Sequence, residues 1–306
     1  LNVSSLRSLL GKIQPDLLHA HYASGYGTLG RLCAFHPFIL SVWGSDVYIF
    51  PFQTLVNKWL VKKNLLSADW VCSTSKAMAE QTRWLCPSIK RLSITPFGID
   101  TEVFSPREAL SDPNIITVGT IKNLAPQYGI DILIRAFSLV QDRLRKYDPV
   151  TAEKLRLLIV GDGPQRLELE VLTRKHGINN ITTFVGKVPH FEVPKYLNRI
   201  DIFVAVSRSE SFGVSVLEAS ACGLPVVVSN AGGLPEVVNH EITGYVVEKE
   251  NVEDTAAAIM RLVGNPLLRK QMGDAGWQHV TTHYKWADSV SIMEAVYANN
   301  VRIVGS

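Results

Sequence analysis

Short apolar runs rich in valine and isoleucine punctuate the whole chain, and between them lie stretches long enough for a helix. In the second half the runs are NIITVGT (114–120), LRLLIVGDG (155–163), NITTFVG (180–186), DIFVAVS (201–207) and PVVVSN (225–230). They do not alternate polar with apolar, so each reads as a strand buried on both faces, as happens when helices cover a parallel sheet on both sides. The first half repeats the pattern with DLLHA (16–20), FILSVW (38–43), WVCST (70–74) and LSITPF (92–97). Stretches 131–144, 165–177, 214–223 and 286–300 carry apolar residues at helical spacing. The alternation predicts an α/β fold of βαβ units with a parallel sheet, a pattern that restarts in the second half. The turn-rich stretch SPREALSDPN (105–114) has no apolar period and marks the expected join.

The 306 residues leave room for two domains with cores of their own. No run reaches eighteen apolar residues, so no membrane span is expected. A net charge of +3 is too balanced to point to nucleic acid, although the basic excess falls in residues 1–100. Cys33, Cys72, Cys86 and Cys222 form no CxxC pair. Such sparse cysteines argue against a disulfide framework or zinc site and favour a reducing, cytoplasmic setting.

In an open parallel sheet, ligands bind outside the carboxyl ends of the strands. Gly119, Gly161, Gly163, Gly186 and Ser207 fall where the runs of the second half end, and glycine there lets backbone approach a phosphate. The stretch SRSESFGVSVLEASACGLPVVVSNAGGLPEVV (207–238) says most. Glu210 ends a strand, Ser211, Phe212 and Gly213 turn, and a helix starts near Val214 with Glu218 one turn inside it. A helix N-terminus offers N–H donors and partial positive charge to a diphosphate. A carboxylate one turn deeper can accept both hydroxyls of a ribose. Two glutamates eight residues apart also arise by chance, and the spacing alone leaves both readings open.

The flanking residues resemble the E-x7-E signature of retaining glycosyltransferases of family 4, whose GT-B fold implies two Rossmann-like domains. PDLLHAHY (15–22), WGSDV (43–47), ADWVCSTSKAM (68–78), TPFGIDTEVFSP (95–106), LLIVGDGP (157–164), FVGKVPH (184–190), ACGLPVV (221–227) and GGLPEVV (232–238) resemble family segments in family order. The resemblance implies a partial acceptor-side domain over 1–104, a linker over 105–113, a nucleotide-sugar domain over 114–283 facing it across a cleft, and a C-terminal helix (284–306) crossing back. It implies that Glu218 holds the ribose, the backbone at Lys187 and Val188 meets the base, and Ser211, Phe212, Gly213 and Val214 face the phosphates. Gly119 and Gly161 would pass close to the diphosphate with Lys122 as the nearby cation, and Glu210 would bond the transferred sugar. No metal and no cofactor beyond the nucleotide-sugar is implied, with a UDP-sugar expected ahead of a GDP-sugar.

Departures from the family pattern matter. Thr120 and the turn around Gln127 and Tyr128 stand where the family carries an Arg and a Lys, leaving Lys122 to replace the first. Trp43 stands where many members have a His that helps hold the donor sugar, and His21 is the alternative catalytic group at a strand end, or else a structural one. The family's first strand, glycine-rich loop and next strand–helix units should precede Leu1, so the N-terminal domain reads as truncated. The expected activity is transfer of a sugar, with retention, to a glycan or lipid-linked acceptor for a cell-envelope or surface polysaccharide. The alternative is a weakly active or inactive nucleotide-sugar-binding scaffold. Residues 48–66, YIFPFQTLVNKWLVKKNLL, read either as a basic amphipathic helix lying in a membrane interface or as a helix on its own sheet with lysines in water.

Overall fold

The computed structural model describes residues 2–106 and 114–301. These form two compact units, one running up to Gly98 and resuming at Ala287, the other spanning Ile99–Trp286. Residues 107–113 of the expected linker lie outside the described residues.

The first unit has a parallel sheet of four strands, β1 (Leu18–His21), β2 (Phe38–Ser41), β3 (Trp70–Ser73) and β4 (Leu92–Ile94), ordered β1-β2-β3-β4. Phe38, Leu40, Val71, Val61, Leu65 and Met78 pack its core. Asp46 of the WGSD segment is fully buried and accepts N–H groups from Ala23, Trp43 and Gly44 at 2.6–3.0 Å. Burial pushes its carboxyl up and those N–H groups pull it back. Its work is to tie the turn after β1 to the turn after β2.

The helix Trp286–Val301 belongs to this unit, where Val296 packs with Ile39 and Cys72. The Tyr297 hydroxyl meets His19 Nδ1 at 2.8 Å, and His19 Nε2 meets Ser41 Oγ at 2.8 Å. Burial, helped by His21, drives His19 down to about 4, so it is a neutral packing group at pH 7.

Residues 48–66 depart from the expected single amphipathic helix. The chain forms three helices, Ser45–Tyr48, Phe50–Gln53 and Leu55–Ser67, the last begun where the Thr54 hydroxyl accepts the Asn57 N–H. Leu55–Ser67 carries apolar residues on both faces: Val61 and Leu65 are buried, while Leu55, Trp59 and Leu66 are exposed.

The second unit has six parallel strands: β5 (Ile116–Ile121), β6 (Leu155–Val160), β7 (Thr182–Gly186), β8 (Ile202–Ala205), β9 (Val226–Ser229) and β10 (Gly244–Val247). Their order is β10-β9-β8-β5-β6-β7. The chain runs outward from β5 in one direction, returns to β8 on β5's other side, and runs outward again. The order reverses between β5 and β8, and that is where an open α/β sheet leaves its crevice. Helix Ile130–Tyr147 buries Ile134, Phe137 and Val140 and packs against Val252–Val263. The sequence reading missed β10 and the helices Val252–Val263 and Pro266–His283. Among the described residues no helix is long and apolar enough to cross a membrane.

Candidate active site

The crevice between β5 and β8 is occupied by an ion pair. Lys122 follows the last residue of β5, and Glu210 lies in the loop after β8. Lys122 Nζ donates to Glu210 Oε2 at 2.6 Å, and their side chains are only 11% and 12% exposed. The ring of Tyr128 lies 5.0 Å from the same ammonium, a cation–π contact that adds to its anchoring. Two charges so poorly hydrated hold together because each is the other's partner. Removing either strands the other, at a cost of about 3–5 kcal/mol.

Two glycines fix the backbone beneath the pair. Gly161 has φ +132°, and a Cβ on it would stand 1.8 Å from the Lys122 carbonyl oxygen. Gly232 has φ +53°, and its Cβ would stand 1.8 Å from the carbonyl oxygen of Glu210. Only glycine allows either approach. The Gly161 N–H is spent on the Gly186 carbonyl at 2.9 Å, so Gly161 shapes the crevice and is not the phosphate donor expected from its place after a strand. Gly119 lies inside β5, two residues short of the strand's end, and the space a Cβ would need is filled by Ile200.

Arg208, which the sequence reading passed over, staples the two loops. Its guanidinium donates to both Asp131 carboxylate oxygens at 2.8 Å, to Glu250 at 2.9 Å and to the Pro126 carbonyl at 2.7 Å. The Arg208 and Ser209 N–H groups both donate to the Gln127 carbonyl. The turn carrying Tyr128 and the loop carrying Glu210 are thereby held together. Burial works to raise the Asp131 carboxyl, but the Arg208 guanidinium outweighs it and holds Asp131 low. Arg208→Ala and Asp131→Ala should each lower stability in denaturant unfolding, and the double variant by less than their sum. A coupling of about 1–3 kcal/mol is expected, and simple additivity would remove the staple from the account.

The helix Val214–Ala221 starts beside this loop with no side chain capping it. Its ladder begins with the Val216 and Leu217 N–H groups donating to the Gly213 carbonyl, leaving the first-turn donors without helical acceptors. Phe212 is buried, edge-on to Tyr284 at 6.0 Å. The hydroxyls of Thr120, Ser207 and Ser215 are buried near these strand ends with no hydrogen-bond partner among the described residues. Thr120 therefore points into the protein and does not stand in for a phosphate-binding Arg.

Glu218, one turn into the helix, is buried, and His190 Nε2 meets its Oε1 at 2.8 Å. His190 lies in the short turn His190–Glu192 beyond β7, its ring tilted against that of Phe104 at 5.4 Å. Burial pushes the Glu218 carboxyl up, against the opposing pull of His190 and then Lys122. Lys187 and Val188 lie just past β7 on the same edge of the sheet. The sequence reading gave no role to His190, although it closes the FVGKVPH segment.

The expected catalytic His21 belongs to the first unit. It ends β1, exposed, 4.1 Å from the His19 ring and edge-on to Trp43 at 5.6 Å. Partial desolvation of its ring among these neighbours lowers its pKa. Among the described residues no three His, Cys, Asp or Glu side chains gather as metal ligands.

The chain is similar to known proteins in sequence and in fold. The model for glycosyl transferases group 1 matches residues 101–279, and that for glycosyl transferase 4-like domains matches residues 1–75. N-acetyl-alpha-D-glucosaminyl L-malate synthase of Bacillus anthracis is 27% identical over 306 residues, covering 94% of this chain and 75% of that protein. Sucrose-phosphate synthase from Thermosynechococcus elongatus shares the fold with a TM-score of 0.84 at 23% identity, covering 99% of this chain and 78% of that one. Anabaena HepE, solved in complex with UDP-glucose, shares it at 0.82 and 19% identity, over 97% and 82%.

Proposed function

The chain belongs to the group 1 glycosyltransferases, and we propose that it transfers a hexose from a nucleotide-sugar, a UDP-sugar ahead of a GDP-sugar, to a glycan or lipid-linked acceptor. The observation that carries this reading is the buried Lys122–Glu210 pair at the reversal of the sheet order, beside the uncapped start of helix Val214–Ala221. A diphosphate laid there meets an ammonium and a helix N-terminus, the two groups that best stabilise a departing anion. Positive charge is supplied by the protein, so the reading needs no metal, and a chelator should leave nucleotide binding unchanged. Glu218, with His190 on its other side, takes the ribose hydroxyls, while Lys187 and Val188 flank the base.

The reaction in this reading retains configuration. The bond from the sugar's anomeric carbon to the β-phosphate oxygen breaks as the acceptor oxygen bonds to that carbon from the same face. The acceptor's proton passes to the leaving phosphate. Glu210 bonds the sugar's hydroxyls and is not a nucleophile, unlike the paired carboxylates of a retaining hydrolase. HepE, solved with UDP-glucose, and the B. anthracis enzyme that moves an N-acetylglucosaminyl group support the donor class. The proposed setting is the cytoplasmic face of a membrane, in cell-envelope glycan synthesis. A thermal-shift screen with UDP, GDP and ADP tests the reading: UDP should raise Tm most, and no shift with any nucleotide would sink it.

A further inference from the structure

Glutamate has a long, flexible side chain, and a ligand that must order it binds more weakly by the freedom it takes away. Glu218 is the fifth residue of the helix Val214–Ala221. That is too deep for its carboxylate to fold back onto the helix start, as a glutamate at the third position does in a capping box. The bond that orders it comes from another element.

His190 supplies that bond. The Glu218 side chain is 8% exposed, and its Oε1 stands 2.8 Å from His190 Nε2. An ionised carboxylate only accepts, so the imidazole carries its proton on Nε2 and donates. One of about four lone pairs on the carboxylate is thereby used, and a vicinal diol needs two of those that remain. Burial pushes the Glu218 carboxyl up, while His190, by its hydrogen bond and its charge, and then Lys122 pull it back. The same contact thus favours the ionised form, the better acceptor for hydroxyls.

The position of His190 is itself fixed. It opens the turn His190–Glu192, closed where the Glu192 N–H donates to the Pro189 carbonyl at 3.0 Å. Pro189 before it and Pro194, at the start of the helix Val193–Leu197, restrict the backbone on both sides. The ring tilts against buried Phe104. With its side chain 73% exposed, His190 adds little to the core. Its contact with Glu218 is what this placement achieves.

We propose that His190 is a positioning residue, whose Nε2–H orders the Glu218 carboxylate ahead of the nucleotide so that the site selects an intact ribose 2′,3′-diol. The inference rests on the reading of Glu218 as the ribose acceptor and adds the residue that makes this acceptor selective.

Calorimetric titration of UDP and of 2′,3′-dideoxy-UDP into wild type, His190→Ala and His190→Gln tests it. Wild type should bind UDP about 10–100-fold more tightly than the dideoxy ligand. His190→Ala should lose about 10-fold in UDP affinity and nothing in dideoxy-UDP affinity, because a ligand without the diol makes no bond to the carboxylate. Unchanged dideoxy-UDP binding also shows that the variant is folded. His190→Gln keeps a side-chain N–H donor of similar reach and should restore the preference for UDP. Equal losses for the two ligands in His190→Ala, or a preference for UDP that survives the change, would overturn the proposal and leave the donor reading standing. A wild type that binds both ligands alike would overturn the reading of Glu218 and the proposal with it.

Discussion

Glu210→Ala abolishes sugar transfer but leaves nucleotide bound, with turnover expected to fall by about 10³-fold. Two effects combine. The variant loses the carboxylate proposed to hold the transferred sugar, and it releases Lys122 from its hydrogen-bonded carboxylate partner. The second effect has its own signature. With Glu210 gone, an ammonium 11% exposed loses its paired counter-ion, at a cost of about 3–5 kcal/mol. The unliganded variant should therefore melt well below wild type. UDP brings a diphosphate to the stranded ammonium, so it should raise the variant's Tm by more than it raises that of wild type, where nucleotide competes with Glu210 for the same cation. Wild-type turnover in Glu210→Ala would refute the assigned role. A UDP shift smaller than wild type's would separate Lys122 from the phosphates.

Glu218→Gln is expected to do two opposite things. Burial holds the Glu218 carboxyl above its ordinary value, so folding favours its protonated form. In the unfolded chain at neutral pH the group ionises freely, and the folded state bears the penalty of a buried charge. Glutamine removes that penalty, so the variant should melt above wild type at pH 7–8. The gain should shrink as pH falls through the raised pKa and vanish below the ordinary glutamate range, where both states carry the proton. Binding moves the other way. A neutral amide offers one acceptor where the carboxylate offers two charged ones, so UDP affinity should fall by about 10–100-fold. A variant both less stable and unchanged in affinity would make Glu218 a packing residue.

Much of this was legible in the chain. Uninterrupted β-branched runs such as LRLLIVGDG and DIFVAVS could only be strands covered on both faces, and β6 and β8 lie inside them. The turn and helix carrying Glu210 and Glu218 were readable because N-terminal helix chemistry is local. What escaped is non-local. Lys122 and Glu210 are 88 positions apart, and Arg208 and Asp131 77; only the strand order brings them together, and composition does not encode it. Gly119 and Gly161 look alike in sequence, yet one accommodates the Ile200 side chain and the other the Lys122 backbone. β10 escaped because GYVV is four residues long and opens on glycine, too short to show a period. The 48–66 segment misled because its apolar residues were assumed to share one face, whereas Val61 and Leu65 point inward and Leu55 and Trp59 outward.

The central claim is that nucleotide diphosphate binds at the reversal between β5 and β8, on Lys122 and the start of Val214–Ala221. Calorimetric titration of UDP into wild type and Lys122→Ala measures it most directly. One UDP should bind per chain, and the variant's affinity should fall by about 10-fold or more, even though removing Lys122 also frees Glu210. Equal affinity in the two proteins, or no binding to wild type, would contradict the account.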